Sequence, residues 1–267
     1  MESARTSRHG SDRAAEDEQC GLAGEFGTCT DEHMSWFQLD PESVVRRVAA
    51  AGGRSEIPTL RTSVNRGIVG FTVVSVAGFT PWAVFGHPLY LLLGEAGLYA
   101  VCAIVFIGLS GPLMHRLILG PGSLSRFYKL FSIAFGAYAA AWIGGWMVLH
   151  GNAGSWLGLL AGTAMMGWIL SRAFGVRGGT LTVIGVLFGL NAAGYFGGGW
   201  LETYFAAATG LPLSRATQLT IARSLWGVGY GIGFGAGLGL AFHLSQSPIR
   251  AALRVTAPAS PSGPAPH

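Results

Sequence analysis

The sequence predicts an all-α fold: a polytopic membrane helix bundle of about six transmembrane helices, behind a disordered polar N-terminal tail. Three observations carry that expectation. Half of the 267 residues are hydrophobic and only 11% are charged, where an ordinary soluble domain is about 25% charged. Charge is also segregated, since the first 56 residues hold eleven of the thirteen acidic side chains and only Glu95 and Glu202 lie beyond them. From there on, apolar runs recur at the length of about 20 residues that a helix needs to cross a hydrocarbon core of roughly 30 Å.

Residues 1–56 form the tail. They are polar, mixed in charge and poor in aromatics, so most of the segment is expected to be disordered and cytoplasmic, with no signal peptide ahead of the first span. One element stands out, near residues 41–51. Asp40-Pro41-Glu42 supplies an N-cap, a proline for the first turn and an acidic first turn. Val44, Val45, Val48 and Ala49 follow, and Gly52-Gly53 ends the helix. Arg46 and Arg47 give it a polar side that is either solvated or laid on anionic headgroups. Cys20, Cys29 and His33 lack the tight ligand pairs of a zinc site, so no metal is assigned. A reducing cytoplasm argues against a disulfide there, and Cys102 reads as a small apolar residue within a span.

Residues 57–250 hold the six spans, approximately 67–85, 89–109, 130–149, 156–170, 180–200 and 225–244. Short turns such as Gly86-His87-Pro88 and His150-Gly151-Asn152 separate several of them, and Pro81 is expected to kink the first. With a cytoplasmic N-terminus, twelve Arg and Lys residues fall on the inner side and only Arg215 and Arg223 on the outer. That bias places both termini in the cytoplasm of a multi-pass protein of the cell inner (plasma) membrane. Trp82, Trp146, Trp156 and Trp200 fall near the outer interface, where indoles prefer to sit. The Pro-rich end, residues 251–267, is expected to be disordered. Arg and Lys never cluster on one soluble face, so the basic balance reads as topology and nucleic acid is not a partner.

The last span contains GVGYGIGFGAGLGLAF, Gly227 to Phe242. Period two is strand period, but a transmembrane barrel needs many alternating segments and the other spans are continuous apolar runs. On a helix, residues four apart share a face. Gly227, Gly231, Gly235 and Gly239 then make one bare stripe, and Gly229, Gly233 and Gly237 another behind it. Stripes of this kind let backbones touch, which is a main source of helix association in lipid. The run resembles the alternating-glycine helix of the c subunit of rotary ATP synthases. Over these sixteen residues the resemblance implies close side-by-side packing, and the two-helix hairpin and ion-binding carboxylate of that family have no counterpart here. Gly108-Leu109-Ser110-Gly111 is similar to the GxSG serine motif of rhomboid proteases, which implies Ser110 as nucleophile and His243 as base. Read from its own position at the inner end of a span, His243 is an interfacial residue.

Ionisable and polar groups within spans are costly and are candidates for function. Glu95 lies in the outer third of the second span, with Tyr99 and Cys102 on its face. Asn191, Tyr195, Gly198 and Glu202 make a polar stripe on the fifth, and Arg223, Gly227 and Tyr230 another leading into the sixth. Gly210 is expected to stop the fifth helix, and Ser214 to cap the next, which carries Arg215, Gln218 and Arg223 above the outer leaflet. Glu202 would then face Arg223 or Arg215. Such groups serve either as a structural ion pair that fixes register or as an outward-facing polar pocket built by Glu95, Asn191, Tyr195, Glu202 and Arg223.

Two roles follow from these features. The first is a protein that binds or transports a small polar or lipid-derived molecule at that pocket. The second is a structural or assembly subunit whose glycine faces dock copies of itself or other membrane proteins, alongside its lipid contacts. An enzyme ranks third, because no dense cluster of His, Asp, Glu or Cys could supply a metal or a nucleophile with its base. The residues name no cofactor.

Overall fold

The structure is a computed structural model that describes residues 37–53, 56–176 and 178–256. The tail before residue 37 with Cys20, Cys29 and His33, and the Pro-rich end after residue 256, lie outside the described residues. Among the described residues there is no strand, and five helices are long and apolar enough to cross a membrane.

Helix α1, Pro41–Ala50, begins where Asp40 accepts the Ser43 amide at 2.8 Å. Burial pushes the Asp40 carboxyl up, but bonds from the Ser43 amide and hydroxyl outweigh it and hold it below its usual value. The apolar side of the helix packs against the rest of the chain, and Arg46 on the other side is exposed. Val44 and Val48 are buried one turn apart, and their methyl groups meet the loop at Gly120.

Helix α2, Leu60–Met114, starts at the Thr59 cap. Its 55 residues would run about 80 Å if straight, more than twice a hydrocarbon core. It is not straight. Gly94 has φ 69° and ψ −178°, outside the helical region and open in practice only to glycine. The arms on either side of it lie against each other. Gly70 faces Met114, Gly78 faces the Phe106 ring, and Arg66 reaches the Arg116 carbonyl at 3.5 Å. The turn expected at Gly86-His87-Pro88 is therefore misplaced, since these residues are helical and the chain reverses some two turns later. Proline removes one backbone donor, whereas reversal needs a positive φ, and glycine alone supplies that cheaply. Pro81 and Pro88 both lie inside the helix.

After a 3₁₀ turn, His115–Leu117, come α3 (Ser123–Leu149), α4 (Gly151–Ala173), α5 (Thr180–Ala207), α6 (Arg215–Ser245) and α7 (Ser247–Thr256). His150 and Gly151 take positive φ between α3 and α4, so those helices pack antiparallel with Gly145 facing Gly158. Helix α5 ends at Ala207, short of Gly210, and Ser214 caps α6 by accepting the Thr217 amide at 3.2 Å. Residues 251–256, expected to be disordered, belong to α7. Ser247-Pro248 starts that helix, and Ile249 and Leu253, four apart, are buried and give it a reason to fold.

Helix α6 lies between two others. Its stripe of Gly227, Gly231, Gly235 and Gly239 faces the first arm of α2: a Cβ on Gly231 would meet Thr72 Cα at 2.6 Å, and one on Gly239 the Ser63 carbonyl at 2.5 Å. The stripe of Gly229, Gly233 and Gly237 faces α5, where a Cβ on Gly233 would stand 2.5 Å from Gly194 Cα. Both bare faces are thus filled from within the chain. Ser75 adds a buried hydrogen bond to the Gly227 carbonyl at 2.7 Å.

The start of α2 and the end of α6 meet, with Ser63 Oγ 3.4 Å from His243 Nδ1. Buried Gln246 ties this end together: it accepts the Leu119 amide at 2.9 Å and donates to the Leu117 carbonyl at 2.8 Å. The described ends of the chain, α1 and α7, pack together there.

Three alanine variants test the packing and the bend by thermal denaturation in mild detergent. Gly233→Ala is expected to cost about 1–3 kcal/mol through overpacking. Gly237→Ala, whose Cβ finds its nearest neighbour at an ordinary 3.5 Å, is expected to be neutral or stabilising by up to about 1 kcal/mol. Gly94→Ala is expected to cost about 1–3 kcal/mol through strain alone, since nothing stands within 4 Å of the added atom.

Candidate functional site

A cavity of about 310 Å³ opens between the arms of α2 and helices α3, α5 and α6. Helical spacing delivers its walls. The first arm gives Phe79 and Trp82, and the second gives Tyr99, Cys102 and Phe106 at steps of three and four. Helix α3 gives Phe135, Tyr138, Trp142 and Trp146, the last three at steps of four. Tyr195 comes from α5, and Trp226 and Tyr230 from α6. On α6, Trp226, Tyr230 and Phe234 project from a side that neither glycine stripe occupies.

The rings hold one another by edge and face. Tyr99 stands on Trp142 at 5.5 Å and 85°, Tyr195 on Trp226 at 5.2 Å and 73°, and Trp82 on Trp226 at 5.3 Å and 76°. Trp142 and Trp146 stack at 6.1 Å. Such pairs add roughly 0.5–1.5 kcal/mol each beyond their burial, which is how a wall of rings stays fixed around open space.

Polar atoms around the cavity are few, and most are engaged. Glu95, the first residue after the Gly94 bend, accepts from Tyr99 Oη at 3.1 Å and from Trp146 Nε1 at 3.0 Å. Tyr138 Oη is a hub, with the Tyr230 hydroxyl at 3.2 Å and Asn191 Nδ2 at 3.0 Å. Tyr195 pairs with the Ser155 hydroxyl at 3.1 Å. Trp142 Nε1 and Asn191 Oδ1 are buried with no protein partner.

The residues expected to build one polar pocket are therefore divided. Tyr99, Tyr195 and Tyr230 line the cavity, and Glu95 stands at its edge on two of its walls. Asn191 is fully buried and reaches the cavity only through Tyr138. Arg223 lies 4.9 Å over the Trp82 ring and donates to the Ala83 carbonyl at 3.4 Å. Arg215 donates to the Ala206 carbonyl at 2.5 Å, and Gln218 to those of Phe205 and Ala208 at 2.9 and 2.7 Å. These side chains cap the exposed carbonyls that end α5, a demand that competes for the cations. Glu202 makes none of these hydrogen bonds and lies outside the cavity lining, but it is close enough to Arg223, as expected, for the two charges to attract. Trp82 and Trp146 turn into the cavity rather than toward headgroups, while Trp156 and Trp200 remain exposed.

Ser110 is buried and donates to the Phe106 carbonyl at 2.5 Å, and His243 faces Ser63, so no Ser110–His243 pair forms. Among the described residues no three His, Cys, Asp or Glu side chains gather into a metal-binding group. The cavity is walled by aromatic rings, two of which donate to the Glu95 carboxylate.

Sequence reasoning passed over Phe106, Phe135, Tyr138, Trp142 and Trp226. The signal was present in Tyr138-x3-Trp142-x3-Trp146 and in Trp226-x3-Tyr230, aromatic stripes at helical spacing. Stripes of that kind also build ordinary cores. The chain matches no known family model, no curated protein and no solved structure.

The Tyr138 hub makes a prediction about stability. Tyr138→Phe leaves the Asn191 amide and the Tyr230 hydroxyl without their acceptor in a dry interior and is expected to cost about 1–3 kcal/mol. Combining it with Asn191→Leu and Tyr230→Phe removes the stranded groups. The triple variant is expected to melt higher than Tyr138→Phe alone.

Proposed function

We propose that this chain is a six-crossing membrane protein that binds a small amphipathic molecule in the aromatic cavity, as the receptor or carrier site for that molecule. The cavity itself carries the reading. Protein interiors are close-packed, with few voids larger than a water molecule, and an apolar pocket of this size with a few convergent polar groups is the usual form of a small-molecule site.

Two observations support six crossings. The arms of α2 double back at Gly94, and Ser63 at the start of the bundle neighbours His243 near its end, which requires an even number of passes. The end they share carries Arg66, Arg116, Arg126, Arg172 and Arg250, and the opposite end Arg215 and Arg223. The positive-inside bias then favours both termini on the cytoplasmic side of the plasma membrane. In that orientation the cavity, with Glu95 beside the Gly94 bend and Trp146 one turn before His150, belongs to the outer half of the bilayer.

The docking of other subunits or further copies on the glycine faces has less support. Those faces are already occupied by α2 and α5 of the same chain.

Native mass spectrometry from mild detergent tests the binding reading, with a variant that fills the cavity without removing a wall. Ala139 lines the space, so Ala139→Trp is expected to keep the helical spectrum and melting behaviour while losing a small molecule that the unaltered protein retains. Equal retention by both, or by neither, would overturn the reading. A reporter fused at His150 is expected outside the cell, and one placed at Pro121 inside.

A further inference from the structure

We infer that the cavity selects a small organic cation, a quaternary or tertiary ammonium group, held against ring faces with Glu95 as its counter-charge. This rests on the binding reading above and names the class of molecule bound.

The argument begins with charge. No residue lining the cavity is cationic, and Glu95 is a carboxylate hydrogen-bonded directly to two of its walls. A carboxylate at membrane depth is costly and ordinarily has a positive partner. Glu95 has two neutral donors instead, Tyr99 and Trp146, and both are walls of the cavity. Both donors bond to Oε1 and hold the carboxylate at the cavity's edge, where a cation would complete the pair.

The second step concerns what the tyrosines leave available. Tyr99 is bonded to Glu95, Tyr195 to Ser155, and Tyr138 and Tyr230 to each other. Four phenols thus line the cavity with their hydroxyl groups already engaged by protein. What remains for a ligand is the aromatic surface of these rings and of four indoles. The negative face of an aromatic ring attracts a cation, most strongly for indole, and the attraction grows when water is excluded. A quaternary ammonium group asks for no hydrogen bonds, which suits a cavity with so few left to give.

A third observation is local. Arg223 already lies 4.9 Å over Trp82, one of the same rings. The wall binds positive charge where the chain supplies it.

The test compares a cation with its uncharged twin. Benzyltrimethylammonium and neopentylbenzene have the same shape and differ in a nitrogen for a carbon. Binding of each to the full chain in lipid nanodiscs is followed by tryptophan fluorescence, against free aqueous concentration measured by dialysis. The cation is expected to bind at least about tenfold more tightly. Glu95→Gln, which keeps an acceptor for Tyr99 and Trp146, is expected to lower the cation's affinity about tenfold and leave the hydrocarbon's within about twofold. Trp142→Leu, which removes ring faces by a different route, is expected to weaken the cation more than the hydrocarbon. Equal affinity of the two ligands, or parallel losses in both variants, would overturn the inference while leaving the cavity as an apolar site. Binding of neither, or binding indifferent to Ala139→Trp, would remove the cavity reading and this inference with it.

Discussion

The backbone of α6 touches the backbones of α2 and α5, and the rest of the bundle is arranged around that contact. In lipid, burial of apolar side chains against other apolar side chains gains little, because acyl tails are equally apolar. What remains is dispersion and the hydrogen bonds that close approach permits. Seven glycines on two faces of one helix allow it: Gly231 against Thr72, Gly239 against Ser63 and Gly233 against Gly194, with the Ser75 hydroxyl placed to reach the Gly227 carbonyl. A helix so rich in glycine would be weak alone in water. Between two neighbours it is held on both sides.

That contact has a consequence for the third side of α6. Once two faces are given over to glycine, bulk must project elsewhere, and Trp226, Tyr230 and Phe234 do so together. Phe234 stacks with Tyr138 at 5.0 Å and meets Phe71 edge-on at 5.0 Å, which seals the inner part of the ring cluster. Tyr230 and Trp226, one and two turns further out, both pack on Phe79 of α2 and also line the cavity. The cavity is thus the place where the aromatic packing that closes the inner half of the bundle fails to close the outer half.

Periodicity and capping chemistry made the helices legible in the sequence. Asp40 and Ser214 are capping side chains and start α1 and α6, and His150-Gly151 separates α3 from α4. The bend of α2 was not legible, because Gly86-His87-Pro88 has the composition of a breaker while the decisive property at Gly94 is a dihedral angle. Spacing of four assigns the glycines to two faces, but no local rule says that α2 fills one and α5 the other. The site was obscured for a related reason. Glu202, Asn191 and Arg223 drew attention because polar groups in lipid are conspicuous, yet Arg215 and Gln218 answer to the bare end of α5 and Arg223 to Trp82. The rings that enclose the cavity look, in sequence, like any core.

The bend at Gly94 also separates what the tip of α2 must conserve from what it can vary. Trp82 and Tyr99 reach the cavity from opposite arms, and the seventeen-residue step between them passes through Val84, Phe85, Tyr90, Leu91 and Leu92, all more than half exposed. Nothing in the protein reads those side chains closely. Their number, however, sets the phase of one arm against the other, because each residue turns a helix by about 100°. Inserting or deleting a single residue there would rotate Tyr99, Cys102 and Phe106 away from the rings they face. Apart from Gly94 and Glu95, the tip is a spacer whose length is information and whose lettering is free, so substitutions should drift there while gaps do not.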